Sequence, residues 1–313
     1  MNLTEINSDL KNLLCVITGP TACGKTEITI RLAQHYNTHI LSADSRQFYR
    51  ELVIGAATPN AEELAMAPHH FIGHLSVSDY YNVYKFEQDA LSLCNRLFKS
   101  HRVIFLTGGS GLYIDAVTKG IDLLPDPDPE LRQSLNSIYE HEGLAPLHDQ
   151  LNKLDPVYFE QVDLSNPVRL IRAIEVCVLT GEAYSHLRNQ AHEKRPFEVL
   201  KIVLDRPKVE LHQRIHARTD LMMKEGLIDE VKSLMPYRTL NPLNTVGYKE
   251  IFQYLDGKIS LEQAVEDIKT NTRRYAKRQL TWFRRDPDYH WVNANDTDEI
   301  QSLVDSILGD KEQ

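Results

Sequence analysis

Leu13-Leu14-Cys15-Val16-Ile17 runs through Thr18 into Gly19-Pro20-Thr21-Ala22-Cys23-Gly24-Lys25-Thr26. The unbroken apolar run has the length and composition of a strand buried on both faces. The stretch after Thr18 spells G-x-x-x-x-G-K-T, the phosphate-loop pattern. Beyond it, Ile28, Ile30, Leu32 and Ala33 sit among polar residues with no Gly or Pro up to Tyr36, which predicts a helix. A helix that opens on a glycine turn offers free N–H groups and the positive end of its dipole to an anion. Gly19 and Gly24 let the backbone wrap a phosphate, Lys25 supplies a point charge, and the Thr26 hydroxyl can enter the shell of a Mg²⁺ ion. Strand, turn and helix in this order predict a di- or triphosphate site along Gly19, Pro20, Thr21, Ala22, Cys23, Gly24, Lys25 and Thr26.

Further strands alternate with helical stretches: Thr38–Ser42, Val103–Leu106, Leu200–Leu204 and a short His290–Val292. Such alternation predicts an α/β fold, a parallel sheet flanked by helices. The long gap between the third and fourth strands opens on the stiff Pro125-Asp126-Pro127-Asp128-Pro129. It then carries helical patterns near 130–141, 144–153 and 167–180, the last opened by Ser165-Asn166-Pro167 and stopped by Gly181. The reading is a small all-helical insertion, 123–198, in a catalytic core made of 1–122 and 199–313.

With 313 residues the chain exceeds the usual size of a single core. The N-terminal MNLTEINSDLKN is polar and no apolar run approaches bilayer length, so neither a secretory signal nor a membrane span is expected. Four scattered cysteines without a C-x-x-C pair point to reduced thiols in a cytoplasm and away from structural zinc. The formal charge of −9 alone argues against a nucleic-acid partner, but Lys269 to Arg285 holds seven bases and no acid.

Several residues invite a role. The second strand ends in Asp44, at the carboxyl edge where open parallel sheets bind ligands. This carboxylate can serve catalysis, cap a helix or partner a hydrated Mg²⁺. The third strand ends in Thr107-Gly108-Gly109-Ser110-Gly111-Leu112-Tyr113, which suits close backbone approach to a ligand or a plain tight turn. No acid stands there in the Walker-B place. Pro68-His69-His70-Phe71-Ile72-Gly73-His74 lacks the partners of a tetrahedral metal set, so packing or a substrate hydrogen bond is the better reading. From Pro207 to Gly226 an amphipathic helix should bury Leu211, Ile215, Leu221 and Met222, leaving Arg214 and Arg218 on one face, either solvated or forked on a pyrophosphate. The last long helix opens on Ser260 with Gln263 as a capping box, starts acidic, and ends basic and aromatic. Its bases either complement the macrodipole or track RNA phosphates.

Together, GPTACGKT, ADSRQ, PHHFI, TGGSGLY, NPVRLIRAIEV, NTVGYKE and KRQLTWFR, in that order across nearly the whole chain, resemble the tRNA dimethylallyltransferase (tRNA isopentenyltransferase) family. The resemblance implies a P-loop-kinase-like core with a tRNA-contacting helical insertion. It implies transfer of a dimethylallyl group from dimethylallyl diphosphate to N6 of the adenosine immediately 3′ of the anticodon in tRNA. Lys25 and Arg218 would contact the diphosphate, Thr26 would hold Mg²⁺, and Asp44 would take the N6 proton. The tRNA contacts would be Asp44, Ser45, Arg46 and Gln47, then Ser110, Arg132, and Val168, Arg169, Leu170, Ile171 and Arg172. They would continue through Asn244, Thr245, Val246, Gly247, Tyr248 and Lys249 to Lys277, Arg278, Gln279, Leu280, Thr281, Trp282, Phe283 and Arg284. Cys23 and Ser110 stand where relatives often have Ser and Thr. No zinc-finger extension follows the core, as in bacterial members, and a cytoplasmic monomer is expected. A small-molecule P-loop kinase would use the same loop and turn over ATP. An adenylate isopentenyltransferase would prenylate free nucleotides. Neither has a use for the basic helix.

Overall fold

A computed structural model describes residues 12–188 and 194–309; most of the polar N-terminal stretch and residues 189–193 of the expected insertion lie outside them. One sheet holds six strands: β1 Leu13–Thr18, β2 Ile40–Ser42, β3 His69–His70, β4 Val103–Gly108, β5 Glu198–Asp205 and β6 Tyr289–Asn293. Their spatial order is β3-β2-β4-β1-β5-β6, and every pairing is parallel. Strand β1 is interior and buried along its length. Leu14 and Val16 join the core on one face, while Leu13, Cys15 and Ile17 join the other, as the period-two alternation of a strand requires. Helices Val83–Leu97 and Gly111–Lys119 cover the first face, and Lys25–His35 with Thr297–Leu308 the second.

Two sequence expectations need correction. Leu221 is not in the core: it is 52% exposed, while the inward stripe of helix Lys208–Lys224 continues from Ile215 and Thr219 to the partly buried Met222 and Met223. The Ser260 cap is half of a capping box. Ser260 accepts the Gln263 N–H at 3.2 Å, but the Gln263 amide donates forward to Asp267.

Strand β3 has no signature of its own, since two residues carry no periodicity. It adds to the edge through Ile40 against His69 and Leu41 against His70. The histidines there pack against one another, with His39 Nδ1 and His70 Nε2 at 2.9 Å and the His69 ring 2.7 Å from the Ala67 carbonyl. Burial, first of all causes, holds His39, His69, His70 and His74 below the usual 6.5. A base held low in the fold stays neutral there while the unfolded chain protonates, so stability falls as pH drops through 6.5 toward the lowered folded values. The denaturation midpoint should therefore decline between about pH 7.5 and 5.5, and His70→Gln should flatten that decline.

The chain divides into two compact units, 1–118 with 195–313, and 119–194. The second has its own helical core around Leu135, Leu147, Leu151, Leu170 and Ile174. Asp128 caps helix Pro129–Glu142 by accepting the Leu131 N–H, and Asn166 caps Pro167–Thr180, which stops at Gly181 with φ +74°. Leu170 and Ile171 are buried in this core and cannot touch a polynucleotide directly, whereas Val168 and Arg169 are exposed. Arg132 and Arg172 both pair with the fully buried Glu175, so each guanidinium already spends part of its hydrogen-bonding on an internal carboxylate.

Candidate active site

Strands β1, β2 and β4 deliver three loops to one edge of the sheet, the carboxyl edge where parallel sheets bind ligands. The loop after β1 turns at Gly19, whose φ is +147°, and at Gly24, φ +105°. A Cβ on Gly19 would stand 2.7 Å from the Leu204 carbonyl oxygen, so a larger residue would push the loop off β5. Gly24 precedes helix Lys25–His35 with no side-chain cap, which leaves the first N–H groups to whatever the loop holds. The Lys25 ammonium lies across the loop and donates to the Gly19 and Pro20 carbonyls, both at 3.0 Å.

Three arginines brace the loop from outside. Arg206 donates to the Cys23 carbonyl, Arg214 to the Ala22 carbonyl at 2.8 Å, and Arg218 to the Thr21 hydroxyl at 3.3 Å. The shared face of Arg214 and Arg218 is thus turned to the phosphate loop. Burial lowers the Arg218 pKa and the Asp44 carboxylate opposes that shift, yet a guanidinium keeps its proton throughout. Asp44, past the end of β2, accepts the Arg46 N–H on Oδ1 at 3.1 Å. Among the described residues Oδ2 accepts no hydrogen bond.

Two adjoining cavities meet at these groups, both lined by Thr21, Asp44, Arg218 and Met222. The larger, about 680 Å³, runs from Gly24, Lys25 and Thr26 to the apolar Val53, Ile54 and Leu221. That explains the exposed Leu221: it lines the mouth of a cavity. The smaller, about 280 Å³, is lined by Ser45, Arg46, Thr245, Val246, Gly247 and Tyr275. Burial, and after it the Asp44 charge, raises the Tyr275 phenol far above its ordinary value. One chamber therefore offers an anion cradle with an apolar end, the other a recess where Ser45, Arg46 and Tyr275 face the apolar Ala56, Ile215 and Ile268, and a carboxylate stands between them.

The glycines of the β4 turn serve close approach. A Cβ on Gly109 would lie 2.1 Å from the Gln279 amide nitrogen, and one on Gly111 would lie 2.3 Å from the Trp282 ring. Ser110 Oγ accepts the Ser45 N–H at 3.1 Å, tying this turn to the Asp44 loop. Gln279, which the family resemblance implies as a tRNA contact, is buried: it accepts the Thr21 N–H at 2.8 Å and donates to the Gly109 carbonyl at 2.9 Å. It clamps the phosphate loop to the β4 turn. Gln279→Leu should leave both backbone groups unpaired, costing about 1–3 kcal/mol for each. Urea denaturation should show the loss, and pyrophosphate affinity should fall with it, while Gln279→Glu, which keeps the acceptor, should recover part of both.

Other expected tRNA contacts also turn inward. Tyr248 is fully buried and donates to Glu230 Oε1 at 2.6 Å, and Phe283 is fully buried in the core. Trp282 donates to Asp115 at 3.0 Å. Gly247 borders the smaller cavity, while Asn244 and Lys249 are exposed. Glu230 drew no attention in the sequence, yet it accepts the N–H groups of Val53, Ile54 and Gly55 at 3.1, 2.7 and 3.0 Å. It fixes the apolar wall of the larger cavity. A lone Glu on a helix carries no mark of that duty.

The basic helix Leu261–Phe283 is less uniform than its sequence. Lys269 pairs with Asp220 at 3.0 Å and Glu266 at 3.2 Å, and Arg273 bonds His216 and Thr270. Arg274, Lys277, Arg278, Arg284 and Arg285 are exposed, as is Thr281, and Leu280 is half-buried. The free bases therefore lie toward the helix's C-terminal half.

No helix among the described residues is long and apolar enough to cross a membrane. A family model described as IPP transferase matches residues 47–286. The chain is 50% identical to tRNA dimethylallyltransferase 1 of Bacteroides thetaiotaomicron over 287 residues, 92% of this chain and 93% of that one. It is 48% identical to the tRNA dimethylallyltransferase of Christiangramia forsetii over 302 residues, 95% of this chain and all of that one. Among solved structures it is similar to the full-length tRNA isopentenylpyrophosphate transferase of Bacillus halodurans (TM-score 0.71, 36% identity, covering 96% and 97% of the two chains). It is also similar to a eukaryotic dimethylallyltransferase captured acting on tRNA (TM-score 0.77, 25% identity, covering 96% and 81%). With a matching family model over most of its length and relatives near half identical across nearly all of it, the chain belongs to the IPP transferase family.

Proposed function

We propose that the chain transfers the dimethylallyl group of dimethylallyl diphosphate to N6 of the adenosine immediately 3′ of the anticodon in tRNA. The observation that carries this reading is the placing of Asp44, with one free carboxylate oxygen, where the phosphate-loop chamber meets the smaller recess of mixed lining. The diphosphate lies along Gly19–Thr26 and against Arg218, and the five-carbon group reaches Val53, Ile54 and Met222. The C–O bond breaks with its electron pair leaving on diphosphate, so neutralising that charge is the main electrostatic task. The N6 nitrogen attacks the delocalised allylic cation, and its proton passes to Asp44 Oδ2. The exocyclic amine is a poor nucleophile, its lone pair shared with the purine ring, which is why a base is needed. The adenine leaves its stack to enter the recess.

Thr26 would hold Mg²⁺. Its hydroxyl borders the chamber without a hydrogen bond among the described residues, a hard oxygen of the kind Mg²⁺ takes while keeping several waters. When bound, the ion neutralises diphosphate oxygens. On the same reading the protein is a cytoplasmic monomer, with its four scattered cysteines suited to a reducing compartment.

Incubation with dimethylallyl diphosphate, Mg²⁺ and either bulk tRNA or AMP tests the reading: product should form on tRNA. Rates on AMP rivalling those on tRNA would move the chain to adenylate modification, and ATP turnover without prenyl transfer would move it to the kinases. For the polynucleotide, replacing Arg274, Lys277 and Arg278 together by Gln should weaken tRNA binding. The slope of log affinity against log salt should flatten by about one for each phosphate the variant no longer neutralises. Dimethylallyl diphosphate affinity should not change. Circular dichroism must show the helix intact, because these bases also complement its dipole; an unchanged salt slope would reduce them to that role.

A further inference from the structure

A third cavity, about 920 Å³, opens on the other side of helix Leu261–Phe283 and shares no lining residue with the two chambers already described. It lies beyond the ends of β5 and β6, at Asp205 and at Trp291–Asn293, which is again the carboxyl edge of the sheet. Its cations are Arg206, Lys208, Arg273, Arg274, Lys277 and Arg284, against Asp205 as its one acid. Among the described residues, no carboxylate is within ion-pair reach of Lys208, Arg273, Arg274, Lys277 or Arg284. Arg274 and Lys277 are placed above against tRNA phosphates, but Lys208 and Arg273 are not, and in a chain of net charge −9 their gathering with Arg206 around one hollow favours a bound anion. The same positive field acts on His212 at the wall, which burial first, and Arg273 and Lys208 next, hold below its ordinary value.

The cations surround an apolar floor of Leu211, Leu280 and Val292, with the Trp291 ring carrying the Arg284 guanidinium 5.4 Å from its centroid. An inorganic anion would leave that floor uncovered, and a purely hydrocarbon ligand would leave the cations unsatisfied. A flat heterocycle joined to a phosphate satisfies both: the ring covers the floor beside the Trp291–Arg284 platform, Asn293 and Thr270 offer hydrogen bonds to its edge, and the phosphate meets Lys208, Arg273 and Lys277. The cavity also touches the phosphate loop through Arg206, which donates to the Cys23 carbonyl.

We propose that this cavity is a second ligand site, for a phosphorylated nucleoside, supplied either as a free nucleotide or as a nucleotide of bound RNA. It goes beyond the transferase reading, with which it shares Arg274 and Lys277 in its lining. The test is calorimetric titration of the full chain with AMP, beside photolabelling with 8-azido-AMP and mapping of the labelled peptides. Label should fall on the segments around 205–212 and 289–295. Lys208→Glu should weaken AMP at least tenfold. Lys208 is an exposed residue at the start of its helix, where an acid suits the dipole, so this variant folds. Trp291→Ala should weaken AMP comparably and Trp291→Phe should restore most of it, with melting curves as the check on β6. Displacement of AMP by an anticodon stem-loop RNA identifies the occupant as a nucleotide of RNA, and AMP that persists under saturating RNA identifies a free nucleotide. No AMP binding at millimolar concentration, label confined to the two chambers around Asp44, or affinity unchanged in both Lys208→Glu and Trp291→Ala overturns the proposal.

Discussion

Lys25→Ala should lower single-turnover prenyl transfer by roughly a hundredfold to a thousandfold, the scale seen when one preorganised group facing a developing charge is removed. Charge builds on the diphosphate as the allylic C–O bond breaks, and Lys25 is the cation rooted in the loop itself. The fold should survive. In the structure the ammonium donates to the Gly19 and Pro20 carbonyls and lies 3.9 Å from the Cys23 sulfur, bonds that water can take over, so melting should shift little. Lys25→Arg should not restore the rate, because a planar fork cannot replace a compact ammonium in so tight a loop. Thr26→Ala should lose activity too, and excess Mg²⁺ should recover part of it if the hydroxyl is a metal ligand. A folded Lys25→Ala enzyme with a near-normal single-turnover rate would remove the diphosphate from the loop.

Asp44→Asn separates chemistry from binding. The amide keeps the size of the carboxylate, and its oxygen can still accept the Arg46 N–H, so the turn after β2 should hold. It cannot take the N6 proton. The bond-forming rate should drop by roughly a hundredfold or more, within the range general bases contribute, while dimethylallyl diphosphate affinity stays close to normal. If the chemical step were intact and only tRNA affinity fell, Asp44 would be a recognition residue.

The local elements were legible before any fold was known. Leu13–Ile17 reads as a strand buried on both faces because its apolar residues are contiguous, and the phosphate loop reads as such because its groups are neighbours in sequence. Asn166 and Gly181 mark the ends of a helix through bonds that span one turn. The order of these motifs was enough for the family. What escaped the sequence is what joins residues far apart. Gln279 meets Thr21 across 258 positions, and Glu230 meets Val53 across 177. Nothing near either residue in the chain marks it as the strut of a loop. The same limit explains the motif residues whose burial was missed. KRQLTWFR and NTVGYKE have a composition that suits RNA, but only packing decides that Gln279, Phe283 and Tyr248 turn inward while Lys277, Arg278 and Lys249 face out. Propensity, turn chemistry and phosphate-loop geometry act over a few residues and are written locally. Which side chain fills a particular gap, and which cations are left unpaired around a cavity, depends on the surfaces that the folded chain brings together.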